Sequence, residues 1–205
     1  MMKEFWNERY SRQEFIYGES PNEYLKEKLK AIPPAKILFP CEGEGRNAVY
    51  AAQCGWQVSA FDQSEAGKQK AELLARKNNV QIAYAVSDLE NISFPEQSFD
   101  GLALIYAHFH QDKRKQYHQK LASYLKKDGL LIIEAFNKQQ IENQKLNPNA
   151  GGPKEGAMLY DLNEVLTDFN GFEFLEAYES TIELNEGNHH IGKADVTRIL
   201  GIRRY

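Results

Sequence analysis

Gly43 and Gly45 stand in the run KILFPCEGEGRNAVYAA, between a short apolar stretch and a helical pattern of small residues. Glycine adopts positive φ and lets backbone amides approach a ligand, while a helix opening near Arg46 offers unpaired N–H groups to an anion. Such a turn suits the polar end of a nucleotide-like ligand, although strand-to-helix turns also carry glycine for steric reasons alone. Asp62 lies 17 residues beyond Gly45. An acid there accepts two ribose hydroxyls, because the second strand of a parallel sheet runs beside the first; within DQSEAG it can equally cap the next helix together with Ser64. Asp88-Leu89 follows the third apolar run, where an acid receives the exocyclic amine of an adenine and leucine lies against the ring. Turn chemistry alone also accounts for Asp88.

Histidine is the natural proton acceptor near neutral pH. His108 and His190 are therefore candidate bases, each with a structural hydrogen-bonding role as its alternative. His108, His110, His189 and His190 lack a familiar ligand spacing, and no metal is expected. Cys41 and Cys54 belong to no CxxC or Cys/His cluster and read as reduced, packed thiols, a catalytic Cys41 being the other reading.

The elements that must position these groups follow from periodicity. Apolar runs at 37–39, 58–61, 82–86, 102–105 and 130–133 read as strands buried on both faces, separated by helical patterns after the glycines, after Ser64 and after His110. Five alternations predict a mostly parallel α/β sheet with helices on both faces. Past the loop at 147–153, a short helix at 162–169 precedes two alternating segments, 172–184 and 194–202, that read as an antiparallel hairpin turning at 185–188. The first 35 residues read as helical and loop-like, rich in aromatics.

With 205 residues, 42% hydrophobic and 26% charged, the chain fits one domain. A net charge of -4 argues against nucleic acid as a partner. No apolar run approaches the roughly 18 residues of a membrane helix and no leader pattern opens the chain, so a soluble, cytoplasmic protein is expected.

These pieces resemble class I S-adenosylmethionine-dependent methyltransferases, and within them the small bacterial enzymes related to tellurite-resistance and thiopurine methyltransferases. The resemblance runs through FWNERYSRQEFIYGESPNEYL, EGEGRNAVYAA, VSAFDQS, SDL, SFDGLALIYAHF, LKKDGLLIIEAF, GGPKEGAMLY and LNEGNHHIGKADV. It implies a single Rossmann-like domain over 1–205, with a seven-stranded, mostly parallel sheet, an antiparallel C-terminal hairpin, and an N-terminal lid over 1–35. It places Gly43 and Gly45, with Cys41, Glu42 and Asn47, at the methionine end of the cofactor, Asp62 and Gln63 at the ribose, Asp88 and Leu89 at the adenine, and Tyr106 toward the sulfonium. His108 and His190 become the catalytic candidates, and Tyr17, His110, Glu134, Phe136 and Gly152 the acceptor pocket. The implied reaction is in-line methyl transfer to a small-molecule acceptor, leaving S-adenosylhomocysteine. Phe39 and Cys41 depart from the acid and glycine of most class I members, which turns attention to Glu42 as the contact for the cofactor's amino group. Two other functions fit part of the pattern. An NAD(P)-dependent oxidoreductase is one, since Gly43, Gly45 and Ala48 satisfy GxGxxA, and a non-catalytic S-adenosylmethionine-binding protein is the other.

Overall fold

The structure is a computed structural model that describes residues 2–205. The chain divides into two compact units, Met1–Phe94 and Pro95–Tyr205.

In the first unit, α1 (Met2–Tyr10) and α2 (Glu23–Lys30) precede β1 (Lys36–Pro40), α3 (Arg46–Gln53), β2 (Gln57–Asp62), α4 (Glu65–Lys77) and β3 (Ala83–Val86). The apolar runs that give β1 and β2 pair in parallel, Ile37 with Val58 and Phe39 with Ala60, and β2 continues in parallel into β3. Ile37, Leu38 and Phe39 are fully buried, as expected for a strand covered on both faces. Phe39 thus occupies the core, where an acid would have to be desolvated. Ser64 caps α4 by accepting the Gly67 N–H at 3.0 Å, as its position before the helical pattern predicts. Asn7 of α1 reinforces that end by accepting the Ser64 hydroxyl at 2.8 Å.

The second unit contains β4 (Phe99–Ile105), α5 (Gln111–Ser123), β5 (Leu125–Phe136), α6 (Gln140–Leu146), α7 (Leu162–Asp168), β6 (Phe172–Glu186) and β7 (His190–Arg203). β4 and β5 are parallel; β7 runs antiparallel to both β5 and β6. The strand order is β3-β2-β1-β4-β5-β7-β6, the seven-stranded mixed sheet with an antiparallel C-terminal hairpin that the pattern implies. A buried polar brace joins α5 to α7: the Asp168 carboxylate accepts Arg114 Nε and faces His118 Nδ1, both at 2.9 Å. Beyond them, Tyr160 donates to the Ala107 carbonyl at 2.7 Å.

Candidate functional site

The glycine turn follows directly from the end of β1. Cys41, Gly43 and Gly45 all have positive φ, at 55°, 59° and 87°, so the chain alternates into the left-handed region. Both glycines are also sterically required. A Cβ on Gly43 would lie 2.5 Å from the Tyr10 hydroxyl oxygen, and one on Gly45 would lie 2.5 Å from Ala71 Cβ. Burial pushes the Cys41 thiol far above its ordinary range, which leaves it uncharged and removes the reading of a catalytic thiolate.

The remaining loop groups are tied down one by one. Glu42 Oε1 accepts the backbone N–H groups of Asn47 at 2.9 Å and Ala48 at 2.7 Å. Gly45 has no side chain to cap α3, so Glu42 performs that task from three residues upstream. Burial raises Glu42 to about 7 against the opposing pull of these hydrogen bonds and of Arg46. Asp62 accepts the Gly43 N–H at 3.2 Å and the Ser64 N–H at 2.9 Å. Asp62 thus orders the turn that opens α4 and also faces the glycine loop. It has no basic partner among the described residues, and burial raises it to about 6. Tyr84, from β3, donates to the Gly43 carbonyl at 2.6 Å.

Asn47 requires a correction. Its side-chain oxygen accepts the Asn22 N–H at 2.9 Å and the residue is buried, so it anchors the N-terminal segment instead of facing a ligand. Asp88 is exposed and accepts both the backbone and side-chain N–H groups of Asn91 at 2.8 Å, a turn interaction that leaves lone pairs to spare. Leu89 beside it is buried, and Gln63 is half-buried.

In the second unit, Tyr106 follows β4 directly with φ 53°, a strained value for a bulky residue. Its N–H donates to the Glu134 carbonyl and its hydroxyl to Glu134 Oε1, both at 2.7 Å. Arg198 holds the other carboxylate oxygen at 2.6 Å. Glu134 is fully sealed, so it braces Tyr106 and does not line a pocket. Phe136, at 1% exposure, stacks on Tyr106 with ring centroids 4.6 Å apart; it is a floor beneath that ring, not a contact surface. His190 meets both rings edge-on and pairs through Nδ1 with Glu186 at 3.0 Å. Gly151, at φ 83°, has no room for a Cβ, which would lie 2.5 Å from His190 Cδ2; Gly152 lies against Phe136. His110 is partly exposed and caps α5.

His108 is the second correction. Nδ1 donates to the Met158 carbonyl at 2.8 Å, which fixes the tautomer, and Nε2 accepts the Phe136 N–H at 3.2 Å. Burial lowers its pKa to about 4. The ring is neutral with both nitrogens committed to backbone, so no lone pair is left for a substrate proton.

Sequence reasoning missed Glu44, Lys70 and Tyr84. Glu44 Oε2 accepts the N–H of Ile16 at 2.8 Å and lies 3.4 Å from that of Tyr17, while Oε1 pairs with Lys70 at 2.7 Å. Arg46 donates to the Ser20 carbonyl at 3.1 Å. The repeated acid of EGEG was the signal available for Glu44.

Residues 41–133 match a family model described as a methyltransferase domain. A ubiquinone biosynthesis O-methyltransferase of Rickettsia akari is 28% identical over 121 residues, covering 57% of this chain and 48% of the relative. The Rickettsia typhi counterpart is 27% identical over 120 residues; the chain spans about half the length of the curated relatives it matches. Among solved structures, magnesium protoporphyrin IX methyltransferase from Synechocystis with bound S-adenosylhomocysteine superposes with TM-score 0.73 at 16% identity, covering 98% of this chain and 97% of that one. TehB from Haemophilus influenzae superposes with TM-score 0.71 at 19% identity, covering 99% and 67%. With the parallel β1–β2–β3 arrangement and the antiparallel terminal hairpin in place, the chain has the fold of these methyltransferase structures, and its residues 41–133 match a methyltransferase domain.

Proposed function

We propose that the protein transfers a methyl group from S-adenosylmethionine to a small-molecule acceptor, with residues 1–205 acting as one domain in the cytoplasm. The observation that carries this reading is the glycine loop itself. It has two obligatory glycines, and the half-buried carboxylate of Glu42 and the buried one of Asp62 beside it are both raised by desolvation and so favour a cationic or hydroxyl-rich ligand. The bound cofactor supplies an electrophilic methyl on a sulfonium, and displacement by the acceptor needs alignment and exclusion of water. Gly43 and Gly45 receive the methionine end, Asp62 the ribose, and Asp88 with Leu89 the adenine. Glu42 adds negative potential for the amino group while its capping bonds keep the loop in shape.

On the acceptor side, Tyr106, His110, His190 and Gly152 are the groups we assign to the pocket, with Glu134 and Phe136 behind Tyr106. His108 has no free lone pair with which to take a proton. His190 stays the candidate base, and an acceptor that arrives ionised, such as a soft sulfur or selenium nucleophile near neutral pH, needs none. The acidic net charge gives a polyanionic acceptor such as nucleic acid no general attraction.

Equilibrium binding of S-adenosylhomocysteine and NADH, followed by labelled-methyl transfer to a panel of thiols, selenolates, phenols and amines, tests the proposal. Binding of S-adenosylhomocysteine with transfer to one class supports it. Binding of NADH alone would establish an oxidoreductase, and tight binding without transfer to any acceptor a non-catalytic role.

A further inference from the structure

The segment that follows α6 is held through its carbonyl groups. Gln140 Nε2 donates to the Ala150 carbonyl at 2.8 Å and to that of Gly151 at 3.2 Å, and Gln144 Nε2 donates to the Gly151 and Pro153 carbonyls at 2.8 and 3.1 Å. The buried Gln140 amide has only one orientation, because its Oε1 accepts the Asp195 N–H of β7 at 2.9 Å and the Asn143 amide at 3.1 Å.

A trans peptide unit points its N–H opposite to its C=O, and none of the described peptides is cis. Three carbonyls turned toward α6 therefore turn the N–H groups of Gly151, Gly152 and Lys154 away from it. Among the described residues none of these three N–H groups meets an acceptor, and the exposed Lys154 ammonium meets no carboxylate.

The same loop lies beside the groups assigned to the acceptor. A Cβ on Gly151 would come 2.5 Å from His190 Cδ2 and 2.9 Å from Phe136 Cζ, and one on Gly152 would come 3.1 Å from Phe136 Cδ2. The Phe136 and His190 ring centroids stand 4.6 and 4.7 Å from that of Tyr106. One ring thus separates the loop from the tyrosine at the pocket. In a chain of net charge -4, oriented backbone donors with a cation beside them are a local feature that suits a small anion.

We propose that the loop at 150–154 binds a carboxylate of the methyl acceptor through the N–H groups of Gly151, Gly152 and Lys154 and the Lys154 ammonium, with Gln140 and Gln144 as positioning residues. The acceptor is then a small organic acid whose nucleophile and carboxylate stand about the breadth of an aromatic ring apart. The inference rests on the proposed methyl transfer with Tyr106 at the acceptor pocket. A carboxylate accepts several N–H groups at once, whereas a primary amide of the same shape offers one oxygen and sets two donors against these donors.

Labelled-methyl transfer to 3-mercaptopropionate, 2-mercaptobenzoate and 3-hydroxybenzoate, each compared with its primary amide, tests the inference alongside titration with S-adenosylhomocysteine. At least one acid should exceed its amide in kcat/KM roughly tenfold, mainly through KM. Lys154→Gln should cut that ratio about threefold, since the charge is exposed and screened. Gln144→Met, which releases the Gly151 and Pro153 carbonyls, should bring the ratio close to one. Reading the ratio cancels both the different reactivity of acid and amide and any general loss of activity. Lys154 is exposed, so its variant keeps the comparison if Gln144→Met does not fold. A preference for the acid that neither variant alters would place the anion elsewhere. Equal use of acid and amide, or transfer to no member of any pair by protein that binds S-adenosylhomocysteine, would also overturn the inference. Protein that binds no S-adenosylhomocysteine would instead sink the proposed methyl transfer, and this inference with it.

Discussion

Replacing Glu42 with glutamine separates the capping role of that side chain from its charge. Glutamine still offers an oxygen to the Asn47 and Ala48 N–H groups, which Glu42 now satisfies. In the folded protein the carboxyl titrates at about 7 against 4.5 in the unfolded chain, with burial as the main cause. The folded state therefore holds the proton more tightly. The stability this provides is fully present below pH 4.5 and is lost as pH rises to about 7. Over such a shift the loss is about 3 kcal/mol, reduced to about 2 kcal/mol by solvent around a half-buried group. Urea unfolding at pH 4, 6 and 8 measures it. Glu42→Gln should match wild type at pH 4 and exceed it by about 2 kcal/mol at pH 8, because the other titrating groups cancel in the difference. A variant no more stable than wild type at pH 8, with a parallel pH dependence, would refute the argument and make Glu42 an ordinary ionised cap.

A cation near Glu42 and Asp62 lowers both values, so S-adenosylmethionine binding near pH 6.5 should release protons, seen as a dependence of the binding enthalpy on buffer ionisation enthalpy; an enthalpy independent of buffer would contradict this. Gly43→Ala should cost about 2 kcal/mol of stability and weaken S-adenosylhomocysteine binding at least about tenfold, because the new Cβ meets Tyr10 and the φ of 59° disfavours alanine; calorimetry and titration read both effects. With His108 neutral down to about pH 4, the pH dependence of kcat/KM should move with the acceptor's own pKa across a series of thiols, whereas a fixed inflection near 6.5 would restore a histidine base. Asp168→Ala should destabilise the protein by about 3 kcal/mol in urea unfolding, since it strips the carboxylate from buried Arg114 and His118.

Local signals in the sequence were reliable wherever one element was involved. Ser64 caps α4, the alternation of 172–184 forms β6, and the short apolar runs lie in strands apart from Ile82, which just precedes β3, because burial and capping leave marks at fixed spacing. Boundaries moved where polar residues pair in a ladder. The hairpin continues to Glu186 opposite His190, although Asn185 and Glu186 read as turn. β5 begins at Leu125, before the Lys-Lys-Asp-Gly stretch, with Asp128 at φ 63° and a register shift between Phe99 and Gly101. The Lys-Lys-Asp-Gly stretch is an irregularity inside a strand.

The candidate site was legible as a set of positions and much less as a set of roles. Asn47 and His108 both have the type and place of functional residues, yet each is consumed by backbone groups distant in sequence, Asn22 in one case and Met158 and Phe136 in the other. A backbone N–H or carbonyl leaves no residue-type signature, so such partners cannot be read from composition or spacing. The same reason hid the purpose of EGEGRN. Glu42 caps α3, while Glu44, Arg46 and Asn47 grip the backbone of Ile16, Ser20 and Asn22. One short motif therefore shapes the loop and fastens the N-terminal segment to it. Tyr10 arrives beside Gly43 with the same N-terminal segment that these polar residues bind, and a substitution at Glu44 should disturb the loop without touching the glycines.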